Sequence, residues 1–320
     1  MRRRDVLIRL GLVAGGLGGA WWFRDNVLWR GPQASFDGGR ATDWLPYADR
    51  RAATPTVEVR VNGRTVRALV DSGAEYSVMD RALYGDMGLS EAFNMPLVAY
   101  GVGGDAQVGR GTHLDVAIGG LGLKNLRAAI LNLGPLADER GLGASLILGQ
   151  DVLHALILEL DTERRRMRFH PREGYVPPHG ATPVEVKRFG KAMQAEATVE
   201  GATVNAVVDT GASAILALTR SAAEAVGLLD GRPLGSGSSI VLGGVVQAES
   251  APVRTLTIGD RLYRDVEVAI YRDVAVPGFP RALIGMAAFE GGRVVMDLAG
   301  DRLFATRVMD ITVGGPLRES

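Results

Sequence analysis

The chain has no cysteine among its 320 residues. That excludes disulfides, a thiolate nucleophile and thiolate metal ligands, but it leaves the compartment open, because exported proteins can also lack Cys. Histidine is scarce. His113, His154, His170 and His179 show no H-x-x-x-H spacing, so nothing marks a paired-histidine metal site on a helix. Neither charge sign dominates: 36 basic residues face 36 acidic ones, which argues against a general nucleic-acid binder. Leu10–Ala20 is short for a spanning helix, and Arg9 cuts it off from the apolar Val6-Leu7-Ile8 before it. No long helical period follows it.

What is present fits a globular, mainly β protein of about two domains. Hydrophobic residues make up 47% and there are 43 glycines. Short Val-, Ile- and Leu-rich strands joined by many turns account for both; disorder would need fewer apolar residues. At the N-terminus Arg2-Arg3-Arg4-Asp5-Val6-Leu7-Ile8 precedes the apolar run. This pattern resembles a twin-arginine export signal, with Gly18-Gly19-Ala20 near a cleavage point, although it is not a clean A-x-A. Residues 1–23 are expected to be an export signal, or a retained membrane anchor with Trp21-Trp22-Phe23 at the interface. The protein would then be periplasmic, or anchored facing the periplasm. Residues 24–53 read as a tether plus a first strand.

The rest is an internal repeat. Leu69-Val70-Asp71-Ser72-Gly73-Ala74 is echoed by Val207-Val208-Asp209-Thr210-Gly211-Ala212, 138 residues later. Gly63 meets Gly201 and Val66 meets Val204 at the same offset. Gly103-Gly104 meets Gly243-Gly244, and Ile147-Leu148-Gly149 meets Leu283-Ile284-Gly285, with small drifts that read as loop insertions. The repeats span 54–170 and 190–308, with a Pro-rich linker at 171–189 and a tail at 309–320. In each copy a hairpin precedes the motif: Thr56–Val61, Asn62-Gly63 and Thr65–Val70, then Ala195–Val199, Glu200-Gly201 and Thr203–Val208. A short helix is expected after each motif, the second at Thr219–Val226 with a Ser221/Glu224 capping box.

Each Asp-[Ser/Thr]-Gly stands at a strand end where the chain must turn. A lone copy is a weak signal, since a turn aspartate that caps its own backbone looks the same. Two copies related by an approximate two-fold axis would bring two carboxyls together. Such a pair shares one proton, because both cannot ionise easily at close range. The ionised oxygen can then take a proton from water while the protonated partner donates to a carbonyl.

The paired motifs resemble those of aspartic proteases of the pepsin/retropepsin kind, with two lobes fused in one chain. The resemblance implies a bilobal acid-protease-like β-barrel fold with a pseudo-two-fold axis. It implies catalytic roles for Asp71 and Asp209 and no metal or cofactor. It also implies that Ser72 and Thr210 lock the two loops together. Gly73 and Gly211 complete the loops, and Gly149 and Gly285 leave room behind them. Ala74 and Ala212 follow the glycines as in retroviral proteases. Tyr100-Gly101-Val102-Gly103-Gly104 resembles a retroviral flap tip, with Gly243 and Gly244 as its counterpart, although an ordinary Gly-rich turn would look alike. Where Glu75 stands, retroviral proteases carry an acidic residue used in subunit contacts; the second copy has Ser213 instead. With Ala after each glycine, the working pH is expected nearer neutral than pepsin's. The expected substrate is an extended peptide or unfolded protein, and the expected active unit a monomer. A non-catalytic peptide- or protein-binding module of the same fold is the alternative, and pairing of each repeat with its twin in a second chain is a third.

Overall fold

The computed structural model describes residues 7–9, 31–89, 92–100, 106–241, 244–274 and 278–306. The protein is mainly β, in two lobes of matching topology. In the N-terminal lobe Thr56–Val61 pairs with Arg64–Val70, which runs parallel to Leu146–Leu148. Val78–Asp80, Leu121–Leu131 and Ala106–Ile118 follow around the sheet. Arg60 and Val61 then pair with Ala117 and Val116 and close a six-stranded barrel. The C-terminal lobe repeats every step. Ala192–Val199, Ala202–Val208, Ala282–Ile284, Ala217–Thr219, Arg261–Tyr271 and Gly244–Ile258 pair in turn. Closure comes where Ala197–Val199 meets Leu256–Ile258.

Local chemistry explains the hairpins that open each lobe. Asn62-Gly63 and Glu200-Gly201 all have positive φ (47° and 88°, 48° and 93°), the backbone of a two-residue turn matched to strand twist. Glu200 is an unusual residue there, and its side chain compensates by accepting from Arg254 N (2.8 Å) and pairing with Arg232 (3.0 Å). The helix after the second motif is Arg220–Ala225, shorter than the sequence pattern suggests. Its cap is Thr219, which accepts from Ala222 N. Ser221 points elsewhere and donates to Asp273 Oδ1 (2.6 Å), so the expected Ser221/Glu224 box does not form.

A third sheet joins the lobes. Its order is Ala181–Val184, Arg302–Thr306, Arg293–Asp297, Ile157–Asp161, Arg166–His170 and Leu45–Pro46. The central pair is one strand from each repeat, so the approximate two-fold axis passes between them. Strands Ala181–Val184 and Val186–Phe189 lie within the segment expected as a linker. Among the described residues no helix is long and apolar enough to cross a membrane. Apart from 7–9, the expected N-terminal signal lies outside the described residues, as does the tail.

The motif strands lose their alternation where they approach the site. Ala68 and Val70 pack into the main core, while Leu69 packs into a smaller cluster with Ala74, Tyr76 and Ile147. Val208 and Val207 divide in the same way, the latter joining Ala212, Tyr271 and Leu283. Both faces are buried, so the sequence there reads as a continuous apolar run.

Candidate functional site: two carboxyls at the lobe interface

The strands Arg64–Val70 and Ala202–Val208 deliver Asp71 and Asp209 to the same place. Both carboxyls are fully buried. A Cβ on Gly73 would sit 2.6 Å from Asp209 Cγ, and one on Gly211 would sit 2.6 Å from Asp71 Cγ. Each glycine therefore lies against the opposite carboxyl, at a distance that excludes any side chain. Gly73 N donates to Asp71 Oδ1 (2.8 Å), and Gly211 N donates to Asp209 Oδ1 (2.8 Å). Ala74 N adds a second donor to Asp71 Oδ1 (3.1 Å).

Ser72 and Thr210 cross between the lobes. Ser72 N donates to Thr210 Oγ1 (2.9 Å), and Thr210 N donates to Ser72 Oγ (3.0 Å). Each hydroxyl then donates onward to the opposite strand, Ser72 Oγ to Val208 O (2.9 Å) and Thr210 Oγ1 to Val70 O (2.7 Å). All four bonds are buried, and each hydroxyl both accepts and donates, so neither loop can shift without breaking bonds in both lobes.

The apolar strands ending in Gly149 and Gly285 pass behind the loops. Asp71 N donates to Leu148 O and Asp209 N to Ile284 O, both at 2.9 Å. A Cβ on Gly149 would stand 2.7 Å from Ala74 O, and one on Gly285 would stand 2.6 Å from Ala212 O. Gln150 N and Met286 N then donate to those same two carbonyls at 2.8 Å.

Asp209 is held well above the ordinary carboxylate range. Burial is the largest cause, followed by the charge and contact of Asp71; donors at Gly211 and Gly73 oppose it. No N–H or hydroxyl of the described residues reaches Asp209 Oδ2, which is buried. Two ionised carboxylates would leave that oxygen facing another oxygen, whereas one shared proton makes the contact a hydrogen bond. The pair thus combines an acid and a base in one site.

Three residues that sequence reasoning missed belong here. Gln150 Nε2 donates to Ser72 O (2.7 Å). Ser77 Oγ accepts from Gly149 N (3.2 Å) and donates to Asp151 Oδ1 (2.9 Å). Tyr271 is buried and donates to Pro280 O (3.0 Å), and burial, then the Asp209 charge, push its phenol up. A signal for Gln150 existed: it follows the apolar-Gly run directly, where the other repeat has Met286.

Paired strands flank both candidate flaps. Phe93–Tyr100 pairs with Ala106–Ile118, ending at Tyr100 and Ala106. Gly235–Val241 pairs with Gly244–Ile258, ending at Val241 and Gly244. Gly101, Gly103, Gly104 and Gly243 lie outside the described residues. Among the described residues no group of three or more His, Cys, Asp or Glu is placed to hold a metal ion.

Two closed barrels that bring matched strand-end carboxyls together define a bilobal, acid-protease-like β fold. The family model described as Aspartyl protease matches residues 57–152 and again 195–288, and the chain belongs to that family. No protein among the curated sequences matches the chain. Among solved structures it is similar to basic 7S globulin from soybean, with TM-score 0.47 and 9% identity over 86% of this chain and 95% of that one. It is also similar to conglutin gamma, a basic 7S globulin from lupine seeds, with TM-score 0.48 and 10% identity over 87% and 95%.

Proposed function

We propose that the protein is an aspartic endopeptidase in which Asp71 and Asp209 share one proton and one catalytic water. The observation that carries this is the buried carboxyl pair, each member packed against the glycine of the other lobe. The ionised carboxyl takes a proton from the water as its oxygen attacks the scissile carbonyl carbon. The protonated carboxyl donates to the carbonyl oxygen as the tetrahedral centre forms. The C–N bond then breaks as a proton passes to the leaving nitrogen, and the dyad is left with one proton again. Ser72, Thr210, Gly149 and Gly285 position the two loops and touch no substrate.

An extended peptide or unfolded protein suits a site that lies between two lobes. Both carboxyls come from one chain, which supports a monomeric active unit. The basic and apolar N-terminus supports export to the periplasm, testable by fractionating cells that express the full chain. Activity needs the dyad to keep one proton, and the raised Asp209 holds that proton above the pH at which ordinary carboxyls lose it. Ala74 and Ala212 bring no hydroxyl to stabilise the ionised form. The pH–rate profile should therefore peak nearer neutral than pepsin's; a peak at about pH 2–3 would sink this part of the reading.

The deciding experiment is turnover of a denatured protein by wild type, Asp71→Asn and Asp209→Asn, with circular dichroism to verify folding. Cleavage by wild type alone is expected. Peptide binding without turnover by wild type would favour a non-catalytic binding module of the same fold.

A further inference from the structure

The regions beside the carboxyl pair are built from equivalent positions that carry unlike side chains. At the 138-residue offset Arg51 corresponds to Phe189, Ala53 to Lys191, Ser213 to Glu75 and Ala214 to Tyr76. After the first loop, large groups fill the space. Tyr76 is only 2% exposed. The Lys191 ammonium, which arrives from the other repeat, lies 4.8 Å from its ring centroid. Phe189, which stands where the other copy has Arg51, does not project as Arg51 does but packs on the apolar cluster of its own lobe with Ala212 and Tyr271.

After the second loop, the same place is open. Ser213 lines a groove of about 1040 Å³ that runs across the N-terminal lobe past Arg51, Glu58, Arg67 and Glu139. That volume is at the upper end for ligand-binding clefts, roughly 300–1,000 Å³. Gly141 and Gly143 line one wall without side chains. The neighbouring turn Gly134–Leu136 touches both strands of the C-terminal hairpin, Gly235–Val241 and Gly244–Ile258. Ser213, two residues after Gly211, is the lining residue from the C-terminal lobe, and through it the groove reaches the second carboxyl loop. Its walls carry charges of both signs. Arg51 extends into solvent with a side chain 98% exposed, while Arg67 is pinned by its Nη1 bond to Leu142 O (2.8 Å). Such walls reward a backbone and charged side chains that can form charge-assisted hydrogen bonds; they offer little to an apolar segment.

We propose that the cleft is one-sided: the peptide arm on the Ser213 side lies in this polar groove and supplies most of the distal recognition, whereas the arm towards Tyr76 adds little. The scissile bond itself rests on the endopeptidase reading; occupation of the groove does not need turnover. The test therefore uses peptides that cannot be cut. A reduced-amide Leu–Leu core is lengthened with alternating Asp and Lys residues, first on one side only and then on the other, and Kd is measured by calorimetry on the wild-type chain. Lengthening on one side should tighten binding about tenfold or more, and on the other less than about threefold. Ser213→Tyr, which places at the groove a bulk like that of the closed side, should erase the one-sided gain. Arg51→Glu, at an exposed position where folding is not at stake, should reverse the preference between Asp and Lys in the long arm. Equal gains on both sides, a gain that survives both variants, or no binding by any member of the series would overturn the proposal. Absence of turnover on ordinary peptides would overturn the endopeptidase reading and leave these affinities as they are.

Discussion

In the N-terminal lobe, side chains brace the carboxyl loop. Gln150 reaches Ser72 O, and Ser77 ties Gly149 N to Asp151. In the C-terminal lobe the counterparts are Met286, Ile215 and Ala287. There only the backbone bond from Met286 N to Ala212 O repeats the arrangement, and Tyr271 packs nearby where the first lobe has Leu131. The groups at the two-fold axis are alike: Asp, hydroxyl, Gly, and the glycine behind. Divergence begins one step outward. At the axis each residue must fit its own copy, so a change on one side alone breaks a bond made by both. One step out a residue no longer meets its own copy, and the lobes are free to differ.

That comparison can be broken at the axis first. Asp71→Asn and Asp209→Asn should each lower kcat by at least about 10³-fold, since each removes one partner of an acid–base pair. Comparable residual activity in either single variant, read by peptide cleavage, would refute a shared dyad.

The glycines behind the loops come next. Gly149→Ala and Gly285→Ala put a methyl group against backbone carbonyls that cannot move aside. Each should cost about 1–3 kcal/mol by denaturant unfolding and lower kcat by shifting the adjacent carboxyl. The two losses should be similar if the lobes are equivalent here.

Removing the cross-lobe hydroxyls should cost less. Ser72→Ala and Thr210→Ala each strand a buried N–H and a buried carbonyl, for about 1–3 kcal/mol. In a double-mutant cycle they should be non-additive, because the two separate pairs of bonds clamp the same two loops together, and loosening the loops by one variant weakens the pair left in place. Strict additivity would mean that the loops are not locked together.

A pH-resolved stability measurement sharpens the electrostatic part. A carboxyl whose folded pKa is raised stabilises the fold fully below its unfolded pKa and loses that contribution as pH rises through the folded value. Asp209 is such a group. Asp209→Asn should therefore unfold at a higher temperature than wild type near neutral pH, and the difference should vanish in acid. A difference independent of pH would remove the ionisation explanation. The smallest effect belongs to the asymmetry itself. Gln150→Met, which copies the other lobe, gives up the bond to Ser72 O for about 0.5–1.5 kcal/mol. Unchanged thermal unfolding would show that this brace adds nothing.

Much of this was legible in the sequence because it is local. The turns at Asn62-Gly63 and Glu200-Gly201 need residues that accept positive φ. The motif strands announce themselves by apolar content, and the repeat places Gly149 and Gly285 at matching distances from their aspartates. The strands Ile157–Asp161 and Arg293–Asp297 also look like ordinary lobe strands in the sequence, yet they pair with each other across the repeats. Nothing in a local pattern encodes a partner about 136 residues away. The bracing by Gln150 and Ser77 was missed for the same reason, whereas the cap at Thr219 is local and lies two residues before the one the sequence pattern favours, because Ser221 is drawn to Asp273. The Gly-rich turns read as candidate flaps; the strands that flank them pair up to Tyr100 and Ala106 and up to Val241 and Gly244, and Gly101, Gly103, Gly104 and Gly243 lie outside the described residues.

By itself the sequence determined the parts: two strand-end aspartates, each followed by a hydroxyl and a glycine, each matched to an apolar run that ends in Gly. These are matters of backbone conformation and residue size, which neighbours along the chain settle. Tertiary structure alone decided that the two carboxyls meet, that burial and the neighbouring carboxyl raise Asp209 above the ordinary carboxylate range, and that the space beside Ser213 stays open while that beside Tyr76 is filled. Coulomb interaction and exclusion of water depend on distance in space, and residues 138 apart in the chain acquire that distance only when the lobes close on each other.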